Sequence, residues 1–196
     1  MSKHPYNSAL KGNNHIECEP SDFEQLPDGI IFRHDIISDG IPHQMRDCDF
    51  IYAEPPWPHG FKIFNERAGV HHNSYNDLAL GIANIIEEMP NYIMMPLGKT
   101  LLKKLPEPTH VESIQLNGNP SLLAHWHNYL DHQTKTTEEL LMRFGSEYDA
   151  MGDFTCGYGA PVWSFLDGGG QTFVASDFDG CCVTVMASIL RSEGVY

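Results

Sequence analysis

Two short segments bring together side chains able to do chemistry. The first is Asp49-Phe50-Ile51-Tyr52-Ala53-Glu54-Pro55-Pro56-Trp57-Pro58, an apolar run that leads into an acid, two prolines and an indole. Prolines lack N–H donors and fix φ, so they end ladder pairing and hold Glu54 and Trp57 rigidly at the carboxyl end of a strand. In open α/β sheets ligands sit at that edge. The second segment is Met151-Gly152-Asp153-Phe154-Thr155-Cys156-Gly157-Tyr158-Gly159-Ala160, a strand that ends in an acid and turns through a G-x-G into a helix. Glycines there let the backbone approach a bound molecule closely. The next strand ends in Asp177, 24 positions after Asp153, where a carboxylate can accept hydrogen bonds from ribose hydroxyls.

The elements that must position these groups alternate between strand and helix. Gly29–Ile31 leading to Phe32 and Asp35, then Asp49–Ala53, then Tyr92–Met95, are apolar runs of the length of buried parallel strands. Between the last two, Tyr75–Met89 repeats Leu78, Ile82, Ile85, Ile86 and Met89 at helical spacing, which completes a βαβ unit. Gly98–Leu105 reads as a short helix. Thr109–Leu116 and Leu122–Tyr129 read as a strand pair about the turn-rich Asn117-Gly118-Asn119-Pro120. Thr136 precedes Glu139 in a capping-box pattern, so a helix is expected from there to Phe144, stopping at Gly145. The alternation resumes with Asp149–Phe154, a short helix, Thr172–Ser176 and an apolar helix over Cys182–Leu190. Residues 1–25 lack periodicity and read as an N-terminal tail or arm; 26–196 read as a single α/β domain.

A chain of 196 residues is one domain's length. Its 26 acidic against 12 basic residues leave a net charge of −14, a field that repels polyanions, so any nucleic-acid role needs a local basic patch or a partner. Lys99, Lys103 and Lys104, with Lys62 and Arg67 after the first segment, are the local candidates. No apolar run approaches the ~20 residues of a membrane span, and Met1–Glu19 is too polar for a signal peptide, so a soluble cytoplasmic protein without membrane contact is expected. Five cysteines, none in C-x-x-C, read as reduced thiols. His125, His127 and His132 invite a metal reading, because alternate strand residues share a face, but no fixed ligand pattern completes it and no metal is expected. His71-His72 reads as loop polarity.

Together the two segments resemble the S-adenosylmethionine-dependent amino-methyltransferases of the N6-adenine and N4-cytosine type. Glu54-Pro55-Pro56-Trp57 is similar to that family's acid-or-amide, Pro-Pro, aromatic signature, and Asp153-Phe154-Thr155-Cys156-Gly157-Tyr158-Gly159 to its cofactor loop. The order, catalytic strand before cofactor loop, is that of the permuted subgroup. The resemblance implies a Rossmann-like sheet, mostly parallel with one antiparallel strand and helices on both faces. It also implies S-adenosylmethionine as cofactor, held by Asp153, Thr155, Cys156, Gly157 and Gly159, with Asp177 on the ribose and Asp35 facing the adenine.

The resemblance makes Glu54, Pro55, Pro56 and Trp57 the catalytic set: in that family the side chain at the Glu54 position and the Pro55 carbonyl accept the N–H groups of a target amine, and the aromatic at Trp57 stacks on an extruded base. Lys62, Arg67 and Lys99 are then the substrate-binding candidates. Methyl transfer to N6 of adenine in DNA is the first expectation, with weak DNA binding by the chain alone and homo- or hetero-oligomers open. Glu is rare at the catalytic position, and Glu-Pro-Pro can mark a non-catalytic partner subunit in related RNA methyltransferases. A degenerate subunit therefore stays open as a second reading. A transferase for a free nucleotide, small molecule or protein is a third, favoured by the acidic charge and the short region before the cofactor loop.

Overall fold

The computed structural model describes residues 18–70 and 74–192, so His71-His72 lies outside the described residues. The strands are β1 (Phe23–Leu26), β2 (Gly29–Arg33), β3 (Phe50–Tyr52), β4 (Tyr92–Leu97), β5 (His110–Leu116), β6 (Asn119–Trp126), β7 (Ala150–Asp153) and β8 (Thr172–Asp177). The helices are α1 (Pro58–Arg67), α2 (Tyr75–Glu88), α3 (Lys99–Leu102), α4 (Thr137–Gly145), α5 (Ala160–Asp167) and α6 (Gly180–Ser192). One sheet holds these eight strands in the order β1-β2-β8-β7-β3-β4-β6-β5. From β2 to β4 every pairing is parallel. β6 is the expected antiparallel strand, pairing so with both β4 and β5.

β1 adds an antiparallel edge strand, with Leu26 opposite Gly29 and Phe23 opposite Phe32. The stretch expected to be a free arm over 1–25 thus ends in the sheet. Only Leu26 of this strand is buried, and a strand with one inward residue leaves no alternation to read.

Alternation on the central strands divides the core into two layers, as side chains of period two must. Phe50, Tyr52, Tyr92 and Met94 pack with Leu140, Phe144, Phe165 and Met186 from the helices of one face. Ile51, Ala53, Ile93 and Met95 pack with Leu78, Ile82, Ile85 and Ile86 of α2 on the other. Each large side chain sealed in this way contributes roughly 1.5–3 kcal/mol.

Local chemistry starts and stops the elements. Ser74 accepts from Asp77 N–H while Asp77 accepts from Ser74 N–H, a full capping box that starts α2. Thr136 caps α4 by accepting from Glu139 N–H, but Glu139 accepts from Lys135 N–H instead of closing the box. Asn117 and Gly118, with φ of 50° and 77°, form the two-residue turn of the β5–β6 hairpin, since twin positive φ matches the strand twist. Pro120 is tolerated inside β6 because it pairs only with Gln115 of β5; β4 reaches no further than Leu122. Among the described residues, no helix is long and apolar enough to cross a membrane.

The chain leaves β7 for β8 on one side and β3 for β4 on the other. This reversal between β7 and β3 opens a crevice at their carboxyl ends.

Candidate active site

Glu54, Asp153 and Asp177 follow or end three neighbouring parallel strands, β3, β7 and β8. Glu54 and Asp153 are joined by hydrogen bonds through Thr155, while Asp177 bonds to the backbone of the neighbouring turns. Glu54 N–H donates to Thr155 Oγ1 at 2.7 Å. The Thr155 hydroxyl and N–H both donate to Asp153 Oδ1, at 3.4 and 2.9 Å. Asp177 accepts from Gly157 N–H through Oδ2 at 2.9 Å and from Asp179 N–H through Oδ1 at 3.0 Å. Asp177 therefore builds the glycine turn as well as facing the cleft. Gly157 and Gly159 hold φ of 51° and 90°, backbone that disfavours any side chain; no atom lies within 4 Å of where a Gly157 Cβ would stand.

The Glu54 carboxylate is drawn back toward the sheet. Tyr52, two residues earlier on the same face of β3, donates its hydroxyl to Glu54 Oε1 at 2.5 Å. Burial raises the Glu54 carboxyl above its ordinary pKa, and the Tyr52 bond partly offsets this. Burial raises Asp153 well above the carboxylate range, reinforced by the charges of Glu54 and Asp177. It raises Asp177 from 3.8 to about 6, against the two backbone N–H groups. Asp153 Oδ2 is buried with no hydrogen-bond partner among the described residues. Three crowded acids with an orphaned oxygen make a site that would be relieved by a ligand bearing positive charge or N–H donors.

A cleft of about 360 Å³ opens here, within the range of small-molecule sites. Of the residues singled out in the sequence, Asp35, Glu54, Pro56, Thr155, Cys156, Gly157, Asp177 and Arg67 line it. Asp153 lies beneath, fully buried. Gly159 begins α5 as its N-cap. Asp35 Oδ1 accepts from Ile37 N–H at 3.0 Å. Pro55 is buried and Trp57 is 43% exposed. The indole lies against the start of α3, where a Cβ on Gly98 would come within 2.5 Å of its ring. Trp57 and Lys99, the residue after Gly98, are not among the residues lining the cleft. Lys62 is 82% exposed and paired with Glu66 at 3.7 Å, outside the cleft lining. Lys104 Nζ donates to Asn76 Oδ1 at 2.8 Å.

Sequence reasoning missed α1, which follows the prolines directly and turns Phe61, Phe64 and Asn65 into the cleft. Its available signal was Pro58 at the first helical position, followed by aromatics three residues apart. It also missed Tyr52 and Asp179, a cleft residue whose Oδ1 accepts from Cys181 N–H at 2.9 Å. The histidines do not share a strand face as expected. β6 ends at Trp126, and His127, at φ 67°, turns away to bond the Ile86 carbonyl at 2.7 Å. His125 and His132 come together instead, with Glu112.

No protein-family model matches the chain, and no curated protein matches it. Among solved structures it is similar to M1.HpyAVI, with a TM-score of 0.52 at 11% identity, covering 82% of this chain and 97% of that one. The M1.HpyAVI–SAM complex gives 0.52 at 10% identity, over 83% and 98%. TTHA0409 of Thermus thermophilus, provisionally named a DNA modification methylase, gives 0.50 at 10% identity, over 85% and 96%. The class these observations define is one of fold: a mostly parallel α/β sheet shared with M1.HpyAVI and TTHA0409.

Proposed function

We propose that the chain is an S-adenosylmethionine-dependent methyltransferase acting on an exocyclic amine, N6 of adenine in DNA. One observation carries the reading: Glu54 above β3 and the buried, half-satisfied Asp153 of β7 meet across the crevice of a methyltransferase fold, with a positive-φ glycine turn beside them. The residues fit the cofactor. Asp153, buried beneath the cleft, would attract its cationic amine, the turn at Gly157 would let its backbone-like portion lie close, and Asp177 or Asp179 would take its ribose hydroxyls. Bound there, S-adenosylmethionine supplies a methyl group on a positively charged sulfonium.

The rest is orientation. An amine conjugated to a purine is a weak nucleophile, so Glu54 and the Pro55 carbonyl must accept its two N–H groups and aim the nitrogen. Tyr52 sets the depth of the Glu54 carboxylate, drawing in a side chain one methylene longer than Asp. Trp57, 43% exposed and three residues beyond Glu54, would stack on an extruded base. Among the described residues, Arg67 is the one Lys or Arg lining the cleft, which, with the net charge of −14, makes DNA binding weak and salt-sensitive. TTHA0409's name and the SAM complex of M1.HpyAVI support the reading by analogy of fold.

Calorimetric titration with the cofactor, followed by mass measurement of methylated DNA, RNA and nucleotide pools, tests it. Binding, weakened at least ~10-fold by Asp153→Asn, with N6-methyladenine formed in DNA, is the expected result. No binding at millimolar cofactor overturns the methyltransferase assignment. Binding with no product overturns catalysis and leaves a degenerate subunit; product only on nucleotides overturns DNA as the substrate.

A further inference from the structure

Near the β5 edge of the sheet, away from the cleft, three side chains from successive segments of the chain converge. Glu112 comes from β5, His125 from β6 and His132 from the segment leading to α4, and their ligand atoms all lie within 4.8 Å of one another. His125 Nε2 is 3.0 Å and His132 Nε2 2.8 Å from the same Glu112 Oε1. The outer nitrogens are both occupied: His125 Nδ1 meets the Tyr92 hydroxyl at 2.7 Å, and His132 Nδ1 meets Thr134 Oγ1 at 2.7 Å. These partners lock each ring with Nε2 pointing inward, as hydroxyls and carboxylates behind metal-bound imidazoles do.

His132 is 6% exposed, yet its Nε2 has no hydrogen-bond partner among the described residues. Glu112 Oε1 is near enough but lies off the direction of the ring N–H. Off-axis contact is what two ligands of one ion show. His132 Nε2 shows this geometry, whereas His125 Nε2 hydrogen-bonds to Glu112 Oε1 at 3.0 Å. With metal–ligand lengths of about 2.0–2.1 Å on a tetrahedron, ligand atoms stand roughly 3.3 Å apart, a few tenths beyond the 3.0 and 2.8 Å that separate each imidazole from Glu112 Oε1.

We infer that Glu112, His125 and His132 form a binding site for a divalent transition ion of the Zn²⁺ type, with a structural role. Two imidazoles and one carboxylate suit a small ion of borderline softness, and water can complete the tetrahedron because the Glu112 side chain is 22% exposed. The ion would clip residues 127–136 onto the β5–β6 hairpin, where Gln115 N–H donates to the Lys135 carbonyl at 2.8 Å. The site lies away from the cleft and does not depend on the proposed function.

The test uses the full chain, stripped with chelator and titrated with Zn²⁺ against a chromophoric competitor, with Co²⁺ as a spectroscopic probe. One equivalent should bind, raise the melting temperature and give a tetrahedral Co²⁺ spectrum without thiolate charge-transfer bands. Glu112→Gln and His132→Gln should each weaken binding ~100-fold or more, and Thr134→Val ~10-fold through loss of the ring's anchor. Glu112→Gln is partly exposed and carries the test should His132→Gln not fold. No stoichiometric binding, a thiolate-type spectrum, or unchanged affinity in Glu112→Gln overturns the assignment.

Discussion

Glu54 gains its geometry from a residue that does no chemistry itself. Tyr52 is fully buried in the α4–α6 layer, and burial, together with the Glu54 charge, raises its phenol well above the ordinary value. It is therefore a fixed donor, and with its bond on Glu54 Oε1 it is Oε2 that would accept from the amine in the proposed reaction. Tyr52→Phe keeps the ring and deletes the bond. We expect kcat to fall about 10-fold, the worth of one hydrogen bond to a charged group, with cofactor affinity unchanged by calorimetry. Glu54→Ala should cost on the order of 10²-fold, and an undiminished kcat in Tyr52→Phe beside that loss would remove Tyr52 from the positioning. The acids and glycines were legible because strand-then-turn patterns state where a carboxylate or a positive φ must fall. Tyr52 was not legible: an aromatic in an apolar strand reads as core, and only the i, i+2 geometry of β3 shows where its hydroxyl ends.

Helices α4 and α5 meet through glycine. A Cβ on Gly145 would stand 2.0 Å from the Phe165 carbonyl oxygen, and one on Gly168 2.0 Å from that of Met142. The sequence marks Gly145 as a helix stop, and the helix does end there. Its φ is not positive, however, so glycine is required for close approach and not for the turn. Backbone atoms cannot swing aside as a flexible side chain could, so Gly145→Ala should destabilise the fold by about 1–3 kcal/mol. Denaturant unfolding would show this as a lower midpoint at constant slope. The same reasoning explains why most strands and long helices were readable and α1 was not. α2 repeats apolar residues over 14 positions behind a strong cap. α1 has 10 residues, with only Phe61 and Asn65 buried, and its aromatics face a cleft that the sequence cannot display.

Across the molecule, the acids of the crevice tie stability and ligand binding to pH. Asp177 moves from 3.8 to about 6, and Glu54 and Asp153 are raised as well, all chiefly by burial. Asp177 faces Gly157 N–H, Asp179 and the Cys182 thiol, while Asp153 faces Thr155, Glu54 and Asp177. Burial and the nearby carboxylates also raise the Cys156 and Cys182 thiols, which stay neutral and offer no opposing cation. A raised folded-state pKa means the native protein holds protons that the unfolded chain releases. The associated stability is full below the unfolded value near 3.8 and is lost as pH rises through about 6 for Asp177. A cationic ligand reverses the demand, because it needs these groups ionised. Without ligand, the melting temperature should fall from about pH 4 to about pH 7, most steeply below pH 6. The increase produced by saturating S-adenosylmethionine should grow over the same interval, by roughly tenfold in affinity for each proton released per unit of pH. Scanning fluorimetry at constant ionic strength reads both curves in one experiment. A ligand-induced increase that is level across this range, or larger at pH 5, would place the cofactor's charge away from Asp153 and Asp177 and undo the arrangement proposed for the crevice.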